Sequence, residues 1–184
     1  MSLNQLSIDS RLSLNNSKYQ IPRIGFGVYL SPAATCVASC KKAFEAGYRH
    51  IDTAQYYDNE TEVGRALAES GLPRSDVYIT SKILSAGSDV ESTYQKIVES
   101  VEKLAGKGGY VDLFLIHTPN GGAGPRKLMW QALEKAKDQK IVRDIGVSNY
   151  GIQHIEEIKS ISTSKDTWPP VVNQIEVGIL LIVQ

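Results

Sequence analysis

No run of apolar residues in this 184-residue chain approaches the roughly 20 that a membrane-spanning helix requires. A dominant charge is missing too. Twenty lysines and arginines balance twenty aspartates and glutamates, so there is no electrostatic footprint for nucleic acid or an anionic membrane surface. The opening stretch MSLNQLSIDS lacks the basic start and apolar core of a secretory signal, and the expected compartment is the cytoplasm. The only two cysteines, Cys36 and Cys40, sit four apart in a segment that reads as helix. They are expected to be small core residues rather than a disulfide or a metal pair, and no metal site is expected. A dinucleotide fingerprint is incomplete, because GFGVYL supplies Gly25 and Gly27 without a third glycine. These absences point to a small-molecule partner held in a pocket.

The composition that remains is that of a globular domain, with 42% hydrophobic residues and 22% charged. Residues 5–22 alternate apolar and polar around Asn-Asn-Ser, which predicts a short hairpin pairing 5–10 with 12–14 and leading to Ile21-Pro22, placed as a lid or plug. Beyond it one unit recurs, a short apolar strand followed by an amphipathic helix. IGFGVYL, YRHIDTA, VYITSKI, YVDLFLIHT, IVRDIGVSN and PPVVNQIEV read as strands. The first helix is expected to open on the Ser31 hydroxyl with Pro32 in its first turn, to bury Ala33, Val37, Cys40 and Phe44, and to stop at Gly47. Asn59 with Glu62 predicts a capping-box start for the second, with Val63, Ala66 and Leu67 facing inward. Helices are expected over residues 90–104 and 126–140, the latter after a flexible NGGAGP loop, and a last helix striped by Ile152, Ile155, Ile158 and Ile161.

Strands alternating with helices predict a parallel α/β sheet, either open and doubly wound or closed as a barrel. A barrel carries its functional groups where strands end, and the polar residues here obey that rule. Asp52 ends the second strand, Lys82 the third, His117 the fourth and Ser148-Asn149 the fifth, while Asn173-Gln174 lies on the sixth. A carboxylate, a lysine and a histidine near Tyr57 form a plausible proton-transfer set. A free phenol near pKa ~10 is a poor acid at neutral pH. An ammonium beside it is expected to favour phenolate character, with the carboxylate keeping that ammonium charged. A histidine could donate to a carbonyl oxygen. His50 is expected to be a hydrogen-bonded core residue, His154 to be solvated, and Tyr56 to be packing.

GFGVYL, AFEAGYRHIDTAQYYDNETEVGRAL, VYITSK, VDLFLIHTP, MWQALEKAKDQKIVRDIGVSNY and VVNQIEV together resemble the aldo-keto reductase superfamily from about Ile21 to Val177. The resemblance implies a (β/α)8 barrel and reduction of an aldehyde or ketone by NADPH. It also implies Asp52, Tyr57, Lys82 and His117 as the catalytic four, with Tyr57 the proton donor. Val28, Tyr29, Asp52, Ser148, Asn149 and Gln174 would meet the cofactor, the last three at its nicotinamide carboxamide. Tyr29 is equally open to a packing role. Residues 1–184 are expected to form one such domain, incomplete at about six βα units, with 178–184 as a tail unlike the family. An incomplete barrel would leave sheet edges through which a second copy could associate.

Overall fold

A computed structural model describes residues 6–177. Gln5 of the expected hairpin and the expected tail at 178–184 lie outside the described residues. A hairpin does form, but between other segments: β1 (Arg11–Ser13) pairs antiparallel with β2 (Gln20–Pro22), and Leu12 faces Ile21. Ser10 N–H bonds back to the Ser7 carbonyl, so the stretch expected to be the first strand closes on itself. The chain then reverses near Asn16, whose φ of 61° is the left-handed conformation that asparagine tolerates. The Asn16 amide donates to the carbonyls of Asp166 and Pro169, fixing the hairpin tip to the approach of the last strand.

The remaining strands are β3 (Phe26–Gly27), β4 (His50–Asp52), β5 (Tyr78–Ile83), β6 (Val111–Ile116), β7 (Val142–Ser148) and β8 (Asn173–Gln174). They lie in that order in one parallel sheet. The crossovers contain α1 (Ala33–Glu45), α2 (Glu60–Glu69), α3 (Val90–Ala105), α4 (Ala123–Asp138) and α5 (Ile152–Ile161). This is a half-barrel, an incomplete (β/α)8 fold, with β3 and β8 each having one neighbour among the described residues. No helix among the described residues is long and apolar enough to cross a membrane.

Both faces of β5 and β6 are buried, as parallel strands under helices require. Ile79, Ile83, Phe114 and Ile116 join the core beneath the helices, where Trp130 and Leu133 of α4 and Ile97 and Leu104 of α3 meet them. The alternate residues Tyr78, Leu113 and Leu115 pack on the inner face with Ile21, Val171 and Val172. That interior is tight. A Cβ on Gly146 of β7 would lie 2.6 Å from the Val172 carbonyl oxygen and 2.9 Å from a Leu115 methyl, so only glycine fits. Gly64 meets the same limit outside, where a Cβ would come 2.0 Å from the Lys103 carbonyl oxygen and push α2 off α3.

Helix ends differ from expectation in instructive ways. The Ser31 hydroxyl does not cap α1: Pro32 stands at the cap, and the buried stripe is Cys36, Val37, Cys40, Ala43 and Phe44 with Ala33 exposed. Asn59 precedes α2 but makes no cap, because its amide is committed elsewhere, as described below. Helix α4 begins at Ala123, so Gly124 and Pro125 of the expected loop form its first turn, where proline's missing N–H costs little. Ile152 is exposed, and Ile158 is the one isoleucine of α5 that is buried outright.

Glu134 of α4 is buried at the end of the sheet opposite the strand C-termini and organises the turn between α5 and β8. It accepts from the Ser162 hydroxyl at 2.6 Å, the Thr163 N–H at 3.0 Å, the Thr163 hydroxyl at 2.6 Å and the Thr167 hydroxyl. Burial pushes its carboxyl up, but these hydrogen bonds outweigh burial and hold it below its ordinary value. A depressed carboxylate contributes stability above the unfolded-state value and loses it as pH falls through the folded one. Glu134→Ala should therefore lower the unfolding free energy by about 3 kcal/mol near neutral pH, since it strips the buried Thr167 hydroxyl and several partly buried donors of their acceptor. Urea titrations should show the gap to wild type narrowing below about pH 4, and a gap independent of pH would contradict this account.

Candidate active site

Parallel pairing sets all the strand C-termini at one end of the sheet. Asp52 is in register with Thr80, Lys82 with Leu115, and Ser148 with Gln174. Around these ends lies a cleft of about 470 Å³ lined by Tyr29, Asp52, Tyr56, Tyr57, His117, Ser148, Asn149, Gln174, Ile175 and Glu176. A larger groove of about 920 Å³ lies under the hairpin at the other end. It is on the smaller cleft that the strand-end groups Asp52, Tyr57 and His117 converge.

Lys82 is the centre of that convergence. Its side chain points to the inner face with Tyr78 and Thr80, and none of it is exposed. The Nζ donates to Asp52 Oδ1 at 2.6 Å, to the Thr53 carbonyl oxygen at 2.9 Å and to Tyr57 Oη at 3.2 Å. An ammonium has three protons, and three acceptors take them. The Tyr57 oxygen thus receives a hydrogen bond from inside the protein, and its own proton has no acceptor among the described residues. Asp52 is held in turn by Gln174, whose Nε2 donates to the second carboxylate oxygen at 2.8 Å. The His50 imidazole, behind this cluster, bonds Thr80 Oγ1 at 2.9 Å and is a buried core histidine as expected.

The electrostatics correct one expectation. Burial first, then the Asp52 charge and Tyr29, push the Tyr57 phenol up to about 12; the lysine does not draw it toward phenolate. Tyr57 is a protonated donor throughout the ordinary pH range. Burial pushes Lys82 down, and the Asp52 carboxylate opposes that. Burial, then the Lys82 charge, hold His117 below its ordinary value, so its imidazole is neutral at neutral pH. The His117 ring lies edge-on to Tyr57, with centroids 5.5 Å apart. Its Nδ1 is buried without a partner, which leaves Nε2 to face the cleft.

The other expected residues divide. Asn149, at φ 61°, donates through its amide to the His117 carbonyl and to Ser148 Oγ. The Ser148 hydroxyl donates to the Gln174 carbonyl at 2.9 Å. Tyr29 lines the cleft, 55% exposed, with its ring 4.9 Å from that of Tyr57 and stacked on Tyr56. Val28 does not reach the cleft: it is core, with its N–H on the Asp52 carbonyl and its own carbonyl accepting from Asn59. Tyr56, expected as packing, is 57% exposed; like Tyr57 it lines the cleft and lies edge-on to His117, because the one-turn 3-10 helix Gln55–Tyr57 brings both tyrosines to that opening. His154 is only half-buried, edge-on to Tyr150 with Nδ1 unpartnered, rather than solvated.

The sequence profile described as the Aldo/keto reductase family matches residues 24–184. The chain belongs to the aldo-keto reductase family. It is 41% identical over 166 residues to an aldo-keto reductase of Mycolicibacterium vanbaalenii, covering 90% of this chain and 57% of that protein. It is 44% identical over 138 residues to a methylglyoxal reductase of Salmonella typhi, covering 74% of this chain and 51% of that one. Among solved structures, an aldo/keto reductase from Brucella melitensis superposes with a TM-score of 0.82 at 38% identity, covering 91% of this chain and 63% of that one. An aldo-keto reductase of Bombyx mori solved in complex with NADP superposes at 0.80 with 30% identity, over 94% and 59% of the two chains. This aldo-keto reductase chain spans little more than half the length of the curated relatives it matches.

The protonated state of Tyr57 can be read optically in this family member. The difference in tyrosinate absorbance between wild type and Tyr57→Phe should be near zero at about pH 10.5, where a free tyrosine is mostly ionised. A full tyrosinate signal at that pH would show that burial does not govern the phenol.

Proposed function

We propose that this chain carries the reducing centre of an NADPH-dependent carbonyl reductase that converts an aldehyde or ketone to an alcohol, with Tyr57 as general acid. The observation that carries this reading is the saturated lysine. Lys82 spends its three protons on Asp52, Thr53 and Tyr57, so the phenol proton is the one left to leave the cluster.

NADPH, when bound, would supply the hydride to the carbonyl carbon. Tyr57 then transfers its proton to the carbonyl oxygen, and the phenolate left behind accepts the Lys82 hydrogen bond as the partner of an ion pair. That stabilisation grows as negative charge develops on the phenol oxygen, so it favours the transition state over the ground state. Asp52 keeps the ammonium charged and aimed. Neutral His117, through Nε2, donates to the same carbonyl oxygen and fixes its approach. Water returns the proton to Tyr57 after the alcohol leaves.

The residues present also suit the cofactor's carboxamide. Asn149 Oδ1 and Gln174 Oε1 line the cleft and accept no hydrogen bond among the described residues, while their nitrogens are engaged by the protein. Two open amide oxygens match the two N–H protons of a primary amide. Ser148, Asn149 and Gln174 are accordingly assigned to hold the nicotinamide, with Tyr29 forming the cleft wall and Val28 contributing only through the core.

The test follows NADPH consumption at 340 nm with methylglyoxal, after which the Salmonella typhi relative is named, as the probe aldehyde. Tyr57→Phe should lower kcat by about 100- to 10,000-fold and leave the NADPH dissociation constant within about twofold, because the hydroxyl acts in the transition state. Near-normal turnover in the phenylalanine variant would remove Tyr57 from the mechanism.

A further inference from the structure

We infer that Gln55 is a positioning residue for Tyr57, a side-chain bridge that sets the distance between the phenol and the strand carrying Lys82. Gln55 opens the 3-10 turn Gln55–Tyr57, two residues before the phenol. Its side chain turns away from the cleft, which it does not line. The amide makes three hydrogen bonds. Oε1 accepts from the Leu84 N–H at 3.0 Å, and Nε2 donates to the Lys96 carbonyl at 3.1 Å and to Ser100 Oγ at 2.9 Å. A primary amide can make about four, so this one is nearly saturated. Its orientation is set by its partners, since a flipped amide would aim its nitrogen at an N–H and its oxygen at a carbonyl.

The identity of those partners gives the bridge its meaning. Leu84 directly follows β5 and lies two residues beyond Lys82, so one hydrogen bond ties the turn bearing Tyr57 to the strand bearing the ammonium. The second and third bonds tie the same turn to α3. Ser100 is itself buried, and the buried Glu60 of α2 accepts from Ser81 of β5 at 2.6 Å. Ser81 adjoins Lys82 on β5. The turn is therefore anchored to β5 through Leu84 and to α3 through Lys96 and Ser100.

The far end of the turn has its own clamp. Asn59 is 1% exposed; its Oδ1 accepts from Thr53 Oγ1 at 2.7 Å, and its Nδ2 donates to the carbonyls of Val28 at 2.9 Å and Ser31 at 3.3 Å. Asp58, at φ 52°, bends the chain between turn and clamp. Asn59 fixes the turn to the first strand loop and Gln55 fixes it to the third strand. The second of these joins the turn directly to the strand whose Lys82 Nζ lies 3.2 Å from Tyr57 Oη. A shift of about 1 Å in a reacting group can cost about 100-fold in rate, so a bridge outside the cleft can act on the chemistry.

This inference rests on Tyr57 as the acid for its kinetic consequence but not for its geometry, and the two are tested separately. Tyrosine rings of the chain are labelled with carbon-13, and the Tyr57 signal is assigned by its loss in Tyr57→Phe. In Gln55→Ala the Tyr57 ring signals should shift or broaden, while those of Tyr150 and Tyr110, in the other half of the sheet, stay in place. Gln55→Glu keeps the acceptor for the Leu84 N–H and should leave Tyr57 closer to wild type, which guards against an alanine variant that does not fold. Unchanged Tyr57 signals in both variants, or equal movement of all three tyrosines, would overturn the assignment. With methylglyoxal and NADPH, Gln55→Ala should lower kcat by about 10- to 100-fold with KM within about threefold. If the wild type shows no turnover, the reductase reading fails and the spectroscopic result still decides the role of Gln55. An equal loss in kcat and gain in KM would mark Gln55 as a general structural residue.

Discussion

A lysine with none of its surface exposed is the constraint from which the rest of the site follows. Removing an ammonium from water costs several kcal/mol unless its protons find acceptors. Here they find a carboxylate, a backbone carbonyl and a phenol. Each acceptor then depends on its own support. Asp52 accepts from Gln174 on β8, the Thr53 N–H bonds the Thr80 carbonyl, and Tyr57 sits on a turn clamped by Gln55 and Asn59. The sheet brings these groups together because parallel strands end at one side, and the interior below is closed tightly enough to need glycine at 146.

Much of this was legible in the sequence, because the informative residues fall where strands meet loops. Asp52, Lys82, His117, Ser148 and Gln174 each follow an apolar run, and a parallel sheet converts that pattern into proximity. The strands of the half-barrel and the identity of its helices were legible for the same reason, since apolar period and glycine stops are local signals. What was not legible depends on partners distant in sequence. Asn59 looks like a helix cap because caps are short-range, yet its amide is used by Val28 and Thr53. Tyr56 reads as packing because nothing local shows that the 3-10 turn brings both tyrosines to the cleft. Hairpin register was misplaced because the left-handed Asn16, not the alternation of residues 5–10, decides where the chain reverses.

The phenol shows how a residue that does reach the cleft can come with an incorrect charge argument. Lysine beside tyrosine suggests a lowered phenol pKa, but burial and the Asp52 carboxylate act in the other direction and win. In the proposed reaction the ammonium would serve the phenolate once it forms rather than creating it beforehand. That division suits a general acid, which must keep its proton until the carbonyl oxygen gains charge. Gln55 and Glu134 extend the same lesson to polar residues away from the cleft: a glutamine in a turn and a glutamate in a helix carry no local signal of their role, yet each organises a segment through partly buried hydrogen bonds.

The central claim is that Lys82 is a buried ammonium whose three protons are fixed by Asp52, Thr53 and Tyr57. Nitrogen-15 spectroscopy of the lysine side chains, with the Lys82 signal assigned by its loss in Lys82→Met, tests this most directly. At about pH 7 the account predicts an ammonium resonance whose protons exchange with water far more slowly than those of the exposed lysines. A neutral-amine resonance, or exchange as fast as that of a surface lysine, would contradict it.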